Sequence, residues 1–237
     1  MPQHALLNNV HHKDLRIVTR RAALYGDDIM ASPTFPAEFR SVQAHYPIVF
    51  HSTEQGEFVP LALFGLREKQ NLFLGESGWD APYIPLMVER VPFLIGRGPN
   101  SEQVIHVDLD SPRISRTEGE RVFLEHGGNS EFLDRMSSIL ATIHQGLVAT
   151  NPFVAALVEN ELLESFALDI QFRDGTQHRL TGFHTIREER LAKLGSEALG
   201  KLHEKGFLQA IFMVIASLSH FRDLIERASR LDAAARA

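Results

Sequence analysis

Residues 46–95 read YPIVFHSTEQGEFVPLALFGLREKQNLFLGESGWDAPYIPLMVERVPFLI, and this stretch decides the fold. It holds the single Trp of the chain and two of its three Tyr. Tyr46–Phe50 is a run of β-forming apolar residues and predicts a buried strand. Pro47 belongs near its start, because proline donates nothing to a ladder. Ser52–Glu57 is a polar turn, and Phe58–Phe64 is a second strand that Pro60 marks as an edge or a bulge. Asn71–Leu74 gives a third short strand, so two antiparallel hairpins account for the spacing. Pro85 stands where a first helical residue belongs, ahead of Leu86–Arg90, and Val91–Ile95 resumes an extended run.

On the N-terminal side, Leu15 and Ile17 share one face of a short strand, and a short helix follows Pro36 with Glu38 and Phe39 in its first turn. On the other side, Gly96–Gln103 is a loop and Val104–Leu109 alternates as a half-buried strand. Beyond residue 128 the texture turns helical. Ser130 is an N-cap for Glu131–Val148, and Asn151-Pro152 opens a separate helix. Ser165–Phe172 and Gln177–Phe183 flank Arg173-Asp174-Gly175-Thr176 as a hairpin. Thr185–Glu188 reads as a capping box, Ser196 caps Glu197–Lys205, and the last helix starts at Phe207. Its apolar stripe is Phe207, Ile211, Val214, Leu218, Phe221 and Ile225.

The expected fold class is therefore α+β: antiparallel hairpins in the N-terminal half, packed with a mainly helical C-terminal half that carries one further β-hairpin. At 237 residues a single domain over 1–237 is expected, softly divided into a β-rich 1–128 and a mainly helical 129–237. The net charge of −6, with no Lys/Arg block, argues against nucleic acid as a partner. The absence of Cys removes thiolate metal sites, Fe–S clusters and Cys nucleophiles. The longest apolar run, Ala210–Leu218, is nine residues, against about 20 for a bilayer span. No membrane span is expected, no secretory signal is read at the N-terminus, and a cytoplasmic location is the expectation.

Several stretches invite a catalytic reading. His106 and Asp108 share a strand face and, with His184 or His178, have the spacing of a non-haem iron triad. Thirty acids among 237 residues put an acid two places after a given His about one time in eight, so twelve His yield about 1.5 such pairs by chance. The chain has two, His106/Asp108 and His12/Asp14. Gly75-Glu76-Ser77-Gly78-Trp79 lacks the closing Gly of a nucleophile elbow, and Gly96-Arg97-Gly98 lacks the third Gly of a dinucleotide loop. Glu161 and Glu164, three apart on an expected helix face, read as solvated surface. Trp79, Tyr83 and Arg90, with Arg67 nearby in the sequence, combine planar faces and guanidinium groups suited to a ligand or partner surface, set against filling a core corner. A metal-dependent oxygenase or hydrolase on His106, Asp108 and His184, or on His12, is the alternative. No cofactor is expected under the first reading, and the oligomeric state is not legible.

On these residues the chain resembles the SapC-like bacterial proteins. The resemblance rests on Glu38-Phe39, Tyr46–Phe50, Leu63–Arg67, Asn71–Phe73, Trp79, Tyr83–Pro85, Arg90 and Pro92-Phe93, and covers most of the chain. His12–Leu15 matches upstream, and Gly182-Phe183, Ile186, Glu188, Leu191, Leu194 and Ala216–Leu218 match downstream. The chain departs from the family where Glu89 replaces a second basic residue and Val91 an aromatic one. The resemblance implies an accessory role in carbohydrate uptake or modification. It implies genes neighbouring those of TonB-dependent receptors and tryptophan halogenases, with a small molecule or a protein from such a locus as partner.

Overall fold

The computed structural model describes residues 3–98, 102–171, 175 and 177–234. The first half contributes strands β1 (His4–Leu6), β2 (Arg16–Ile17), β3 (Ala31–Pro33), β4 (Ile48–Ser52), β5 (Phe58–Leu63), β6 (Leu74–Gly75) and β7 (Gly78–Trp79). These are followed by β8 (Phe93–Arg97), β9 (Gln103–Asp108), β10 (Ile114–Ser115) and β11 (Glu120–Arg121). Two short helices, α1 (Phe39–Val42) and α2 (Leu86–Glu89), interrupt them. Then come α3 (Glu131–Glu159), β12 (Leu163–Gln171), β13 (Gln177–Ile186), α4 (Glu188–Ala192), α5 (Ser196–Glu204), α6 (Phe207–Ser217) and α7 (Phe221–Ala234). The class is α+β, with antiparallel sheets and a mainly helical C-terminal region.

Two compact units form. The first comprises Met1–Asp27, Leu74–Asp80 and Leu86–Gln145, and the second Asp28–Phe73, Ala81–Pro85 and Gly146–Ala237. In the first unit, β1, β9 and β8 make one antiparallel sheet, and β10, β2 and β11 another. Ile17, Phe93, Val107, Val122 and Met136 are buried there. In the second, five antiparallel strands run in the order β12-β13-β4-β5-β3. Tyr46, Ile48, Val49, Phe50, Leu63 and Phe64 are fully buried, which is the strand-forming run of the sequence doing its expected work. Phe153 of α3 packs edge-on against Phe39 at 5.9 Å and Phe207 at 5.4 Å. The Ser217 hydroxyl accepts from Ile48 N at 2.9 Å and so fastens the end of α6 to β4.

Four local expectations are corrected. Pro60 lies in β5, which pairs with both β4 and β3 and is no edge strand. The carbonyl of Pro60 accepts from Thr34 N at 3.0 Å. Amide and carbonyl of one strand residue face the same neighbour, so the missing N–H points toward the three-residue β3 and costs a bond only there. Asn151-Pro152 does not open a new helix; α3 is continuous with Pro152 inside it. A mid-helix proline costs about 3 kcal/mol. Fully burying Phe153 and Leu157 just beyond it contributes about 1.5–3 kcal/mol each and outweighs that cost. Thr185 lies in β13, and Arg187 takes the N-cap position of α4 without a side-chain bond, so the capping box does not form. Ser196 falls inside α5, and Gly195 is its N-cap. Ser130, by contrast, caps α3 as expected, accepting from Leu133 N at 3.2 Å.

The C-terminal hairpin is longer than expected, with Leu163 opposite Ile186 and Gln171 opposite Gln177. A bulge interrupts the register between Phe166 and Leu168. Gly175 carries the positive φ of 83° that such a turn requires. The other residues of the expected turn, Arg173, Asp174 and Thr176, lie outside the described residues, as do Pro99–Ser101 of the expected loop and 235–237. Joined through a 3-10 turn, Phe207–Leu231 is a 25-residue helix apolar enough by length and composition to cross a membrane. A third of its most apolar stretch is buried, with Ile211, Val214, Ser217, Phe221 and Leu224 packed within the second unit, whereas Phe212 is exposed.

Candidate functional site

The signature aromatics of the second unit are tied into one polar network. Thr34 leaves β3, and the turn that follows puts Glu38 at the start of α1. Glu38 is 4% exposed. Its carboxylate accepts from the Thr34 hydroxyl at 2.7 Å and from the Tyr83 hydroxyl at 2.8 Å. The Tyr46 hydroxyl donates to the Tyr83 carbonyl. A buried carboxylate needs such donors, and each charged hydrogen bond contributes about 1.5–3 kcal/mol. Tyr83 thus holds the 81–85 segment to the second unit with both its hydroxyl and its carbonyl. Glu38 is the hub that the sequence reading placed only in a helix first turn. The signal available was a carboxylate set between Phe35 and Phe39, both of which are core residues.

The other candidates divide between the units. Arg67 belongs to the second and is exposed just after β5. Trp79 and Arg90 belong to the first. Trp79 is half-buried on β7 opposite Leu74. Arg90 follows α2 and donates through Nη1 to the Phe93 carbonyl at 2.7 Å, and burial lowers its guanidinium pKa. Within its own unit, Arg90 therefore fastens the backbone leading into β8.

His106 and Asp108 lie on β9 in the first unit, whereas His184 lies on β13 in the second. The His106 ring lies on Gly96, where a Cβ would come within 2.5 Å of it. Asp108 accepts from Asp110 N at 3.1 Å. The His184 ring meets Phe58 edge-on at 4.8 Å, and its Nδ1 is buried without a hydrogen-bond partner. The side chain of His178 lies outside the described residues. His12 is 9% exposed and its Nδ1 accepts from Asn8 N at 3.2 Å. Burial lowers its pKa first, the backbone at Asn8 works against this, and the charge of His11 adds to it. Among the described residues no group of three or more His, Asp or Glu is placed to hold a metal ion.

Ser77 sits in the tight turn between β6 and β7, which is a hairpin and not a strand-to-helix elbow. Glu161 and Glu164 do not share a helix face. Glu161 follows α3 with φ of 54°, and Glu164 lies in β12. The chain leaves the helix because Leu162 N turns back to the Leu157 carbonyl at 2.9 Å. The two acids make surface ion pairs with Arg190 at 3.5 Å and Arg187 at 4.0 Å.

A cavity of about 400 Å³ opens in the second unit where the last turn of α3 meets α5. Ala156, Ala198 and Leu202 give it an apolar floor. Glu159, Asn160, Glu197, Lys201 and Lys205 give it donors and acceptors. Lys201 Nζ bonds Glu197 at 2.8 Å, which holds the carboxyl below and the ammonium above their ordinary values. The sequence reading missed this site, because its groups come from two helices about 40 residues apart in the chain and carry no motif.

A protein-family model described as SapC matches residues 7–224. No curated protein and no solved structure matches the chain.

Proposed function

The chain belongs to the SapC family, and on that footing we propose that it is a non-catalytic accessory protein. It binds a small, hydroxyl-rich solute on behalf of the carbohydrate uptake or modification systems that the family resemblance implies. The observation supporting this reading is the cavity between α3 and α5. Its volume, about 400 Å³, lies in the usual range for small-molecule sites. A sugar hydroxyl both donates and accepts. The lining offers both capacities, in the Lys201 and Lys205 ammoniums, the Glu159 and Glu197 carboxylates and the Asn160 amide. The apolar floor of Ala156, Ala198 and Leu202 suits the C–H face of a sugar ring. The Tyr83, Tyr46 and Glu38 network fits the same reading as a set of hydrogen bonds that fastens the 81–85 segment within the second unit.

Isothermal titration of the full chain with glucose, maltose and glucuronate tests it. Saturable binding of at least one probe is expected, weakened tenfold or more by Asn160→Ala or Lys205→Ala. Heat that does not saturate with any of the three sinks the proposal. Loss of binding in a folded Trp79→Ala variant, with the cavity variants unaffected, would move the site to the first unit.

A further inference from the structure

The first unit contains a second polar cluster, unrelated to that cavity. Arg113 is 1% exposed and Asp27 3%. Arg113 Nη2 donates to both carboxylate oxygens of Asp27 at 2.6 Å, and Nη1 donates to the carbonyls of Val18 and Arg20 at 2.8 and 3.0 Å. Arg21 donates to the same carboxylate at 3.2 Å and to the Val88 carbonyl at 3.2 Å. The Tyr25 ring lies under two guanidiniums, Arg20 at 5.4 Å and Arg113 at 5.5 Å. Arg20 Nη2 donates to the Tyr25 hydroxyl at 2.5 Å. Two guanidiniums thus hold the one carboxylate, and a third lies against the Tyr25 ring beside them. Glu89 acts on Arg21 only at longer range, and its ion pair is with Arg135 at 3.9 Å. The cluster is left with an excess of positive charge. Burial first, and then the charge of Arg113, lowers the Arg21 pKa, as expected of a cation held in such company.

Arg20 forms the exposed edge of the cluster, and Tyr25, 9% exposed, lies beneath it. Arg20 is exposed and has N–H donors beyond the one given to Tyr25. The Tyr25 hydroxyl accepts from Arg20 and keeps its own hydrogen to donate. Neither group makes a further side-chain hydrogen bond or ion pair among the described residues.

We infer that Arg20 and the Tyr25 hydroxyl, backed by Arg21 and Arg113, form a binding site for a compact oxyanion, the phosphate or carboxylate group of a small ligand. A guanidinium presents two parallel N–H donors at the spacing of two oxyanion oxygens. The phenol adds a third donor beside them. The fixed charges of Arg21 and Arg113 raise the local potential, while their hydrogen bonds keep them from swinging out. Arg20 and Tyr25 come from the segment between β2 and β3, and Arg113 comes from the turn before β10, so the site needs the folded first unit.

The full chain is titrated calorimetrically with inorganic phosphate and, separately, with succinate at constant ionic strength. Saturable binding of at least one is expected, and the tighter of the two assigns the source as phosphate or carboxylate. Arg20→Gln is expected to weaken binding at least tenfold, Tyr25→Phe severalfold, and Arg20→Lys less than Arg20→Gln. Asn160→Ala, which tests the cavity of the second unit, is expected to leave oxyanion binding unchanged, so the two proposals fail separately. If Arg20→Gln does not fold, Tyr25→Phe and Arg20→Lys carry the same decision. No saturable binding of either anion overturns the inference, as does wild-type affinity in folded Arg20 and Tyr25 variants.

Discussion

Gly146 lies midway along α3, where two familiar effects oppose each other. On helix propensity alone, Gly→Ala stabilises a helix interior by about 1 kcal/mol. At Gly146, however, an added Cβ would fall 2.2 Å from Phe35 Cδ2 and 2.5 Å from both Cε2 and Cγ. Those distances are about an ångström short of ordinary van der Waals contact. Phe35 is 1% exposed, so its ring has no solvent into which to retreat. Overpacking of this kind costs about 1–3 kcal/mol, and a clash with three atoms of a buried ring belongs at the upper end. The net expectation for Gly146→Ala is a loss of about 1–2 kcal/mol. Gly200 in α5 is the matched control, because a Cβ there meets nothing within 4 Å. Gly200→Ala is expected to stabilise by about 0.5–1 kcal/mol. Urea unfolding followed by circular dichroism, with midpoints compared at a common slope, reads both. Phe35→Leu in the Gly146→Ala background is expected to cost less than the sum of the single changes. If Gly146→Ala stabilised as much as Gly200→Ala, the packing of α3 on Phe35 would be refuted.

Two further outcomes follow from the polar groups. Tyr83→Phe removes the hydroxyl that donates to Glu38 at 2.8 Å, and a loss of about 1.5–3 kcal/mol is expected in urea unfolding; a change under about 0.5 kcal/mol would show that Glu38 does not depend on Tyr83. His12 has a folded-state pKa below its ordinary value, chiefly from burial. The unfolded chain therefore takes up a proton first as pH falls through about 6.5, and stability drops from there downward. His45, lowered by burial and then by His220, works in the same direction. Melting temperatures between pH 7.5 and 5 should fall more steeply in the wild type than in His12→Asn, and parallel curves would exclude His12 as a source of that slope.

How much was legible depends on how local the cause was. Tyr46–Phe50 announced a buried strand because five consecutive apolar residues fit little else. The observed strand moved two residues on, to Ile48–Ser52, because Pro47 cannot donate and Tyr46 bonds Val42 through its amide. The cap at Ser130 was legible for the same reason, since it concerns one hydroxyl and an amide three residues away. The continuity of α3 was not, because the groups that outweigh Pro152 are partners of Phe153 far away in the sequence. Of the four residues first proposed for binding, Tyr83 and Arg90 carry hydrogen bonds that no spacing rule foretells. The aromatic and guanidinium chemistry was readable, but its use in fastening backbone was not. Asp27 and Arg113, 86 residues apart, had no shared motif to connect them.

The two margins of the five-stranded sheet are unequal. One ends in the three-residue β3 with its Pro33, while the other offers nine residues of β12. A long bare margin is a template on which further chains can stack. The bulge between Phe166 and Leu168 throws that margin out of step, and Glu164 and Asp169 add charge on either side of it. The irregularity thus acts as a safeguard of colloidal behaviour. A shortened chain lacking Gly182, the extra residue that β13 carries opposite Ala167, would have a straighter β12 and would tend to precipitate on concentration even if it folded as well as the parent.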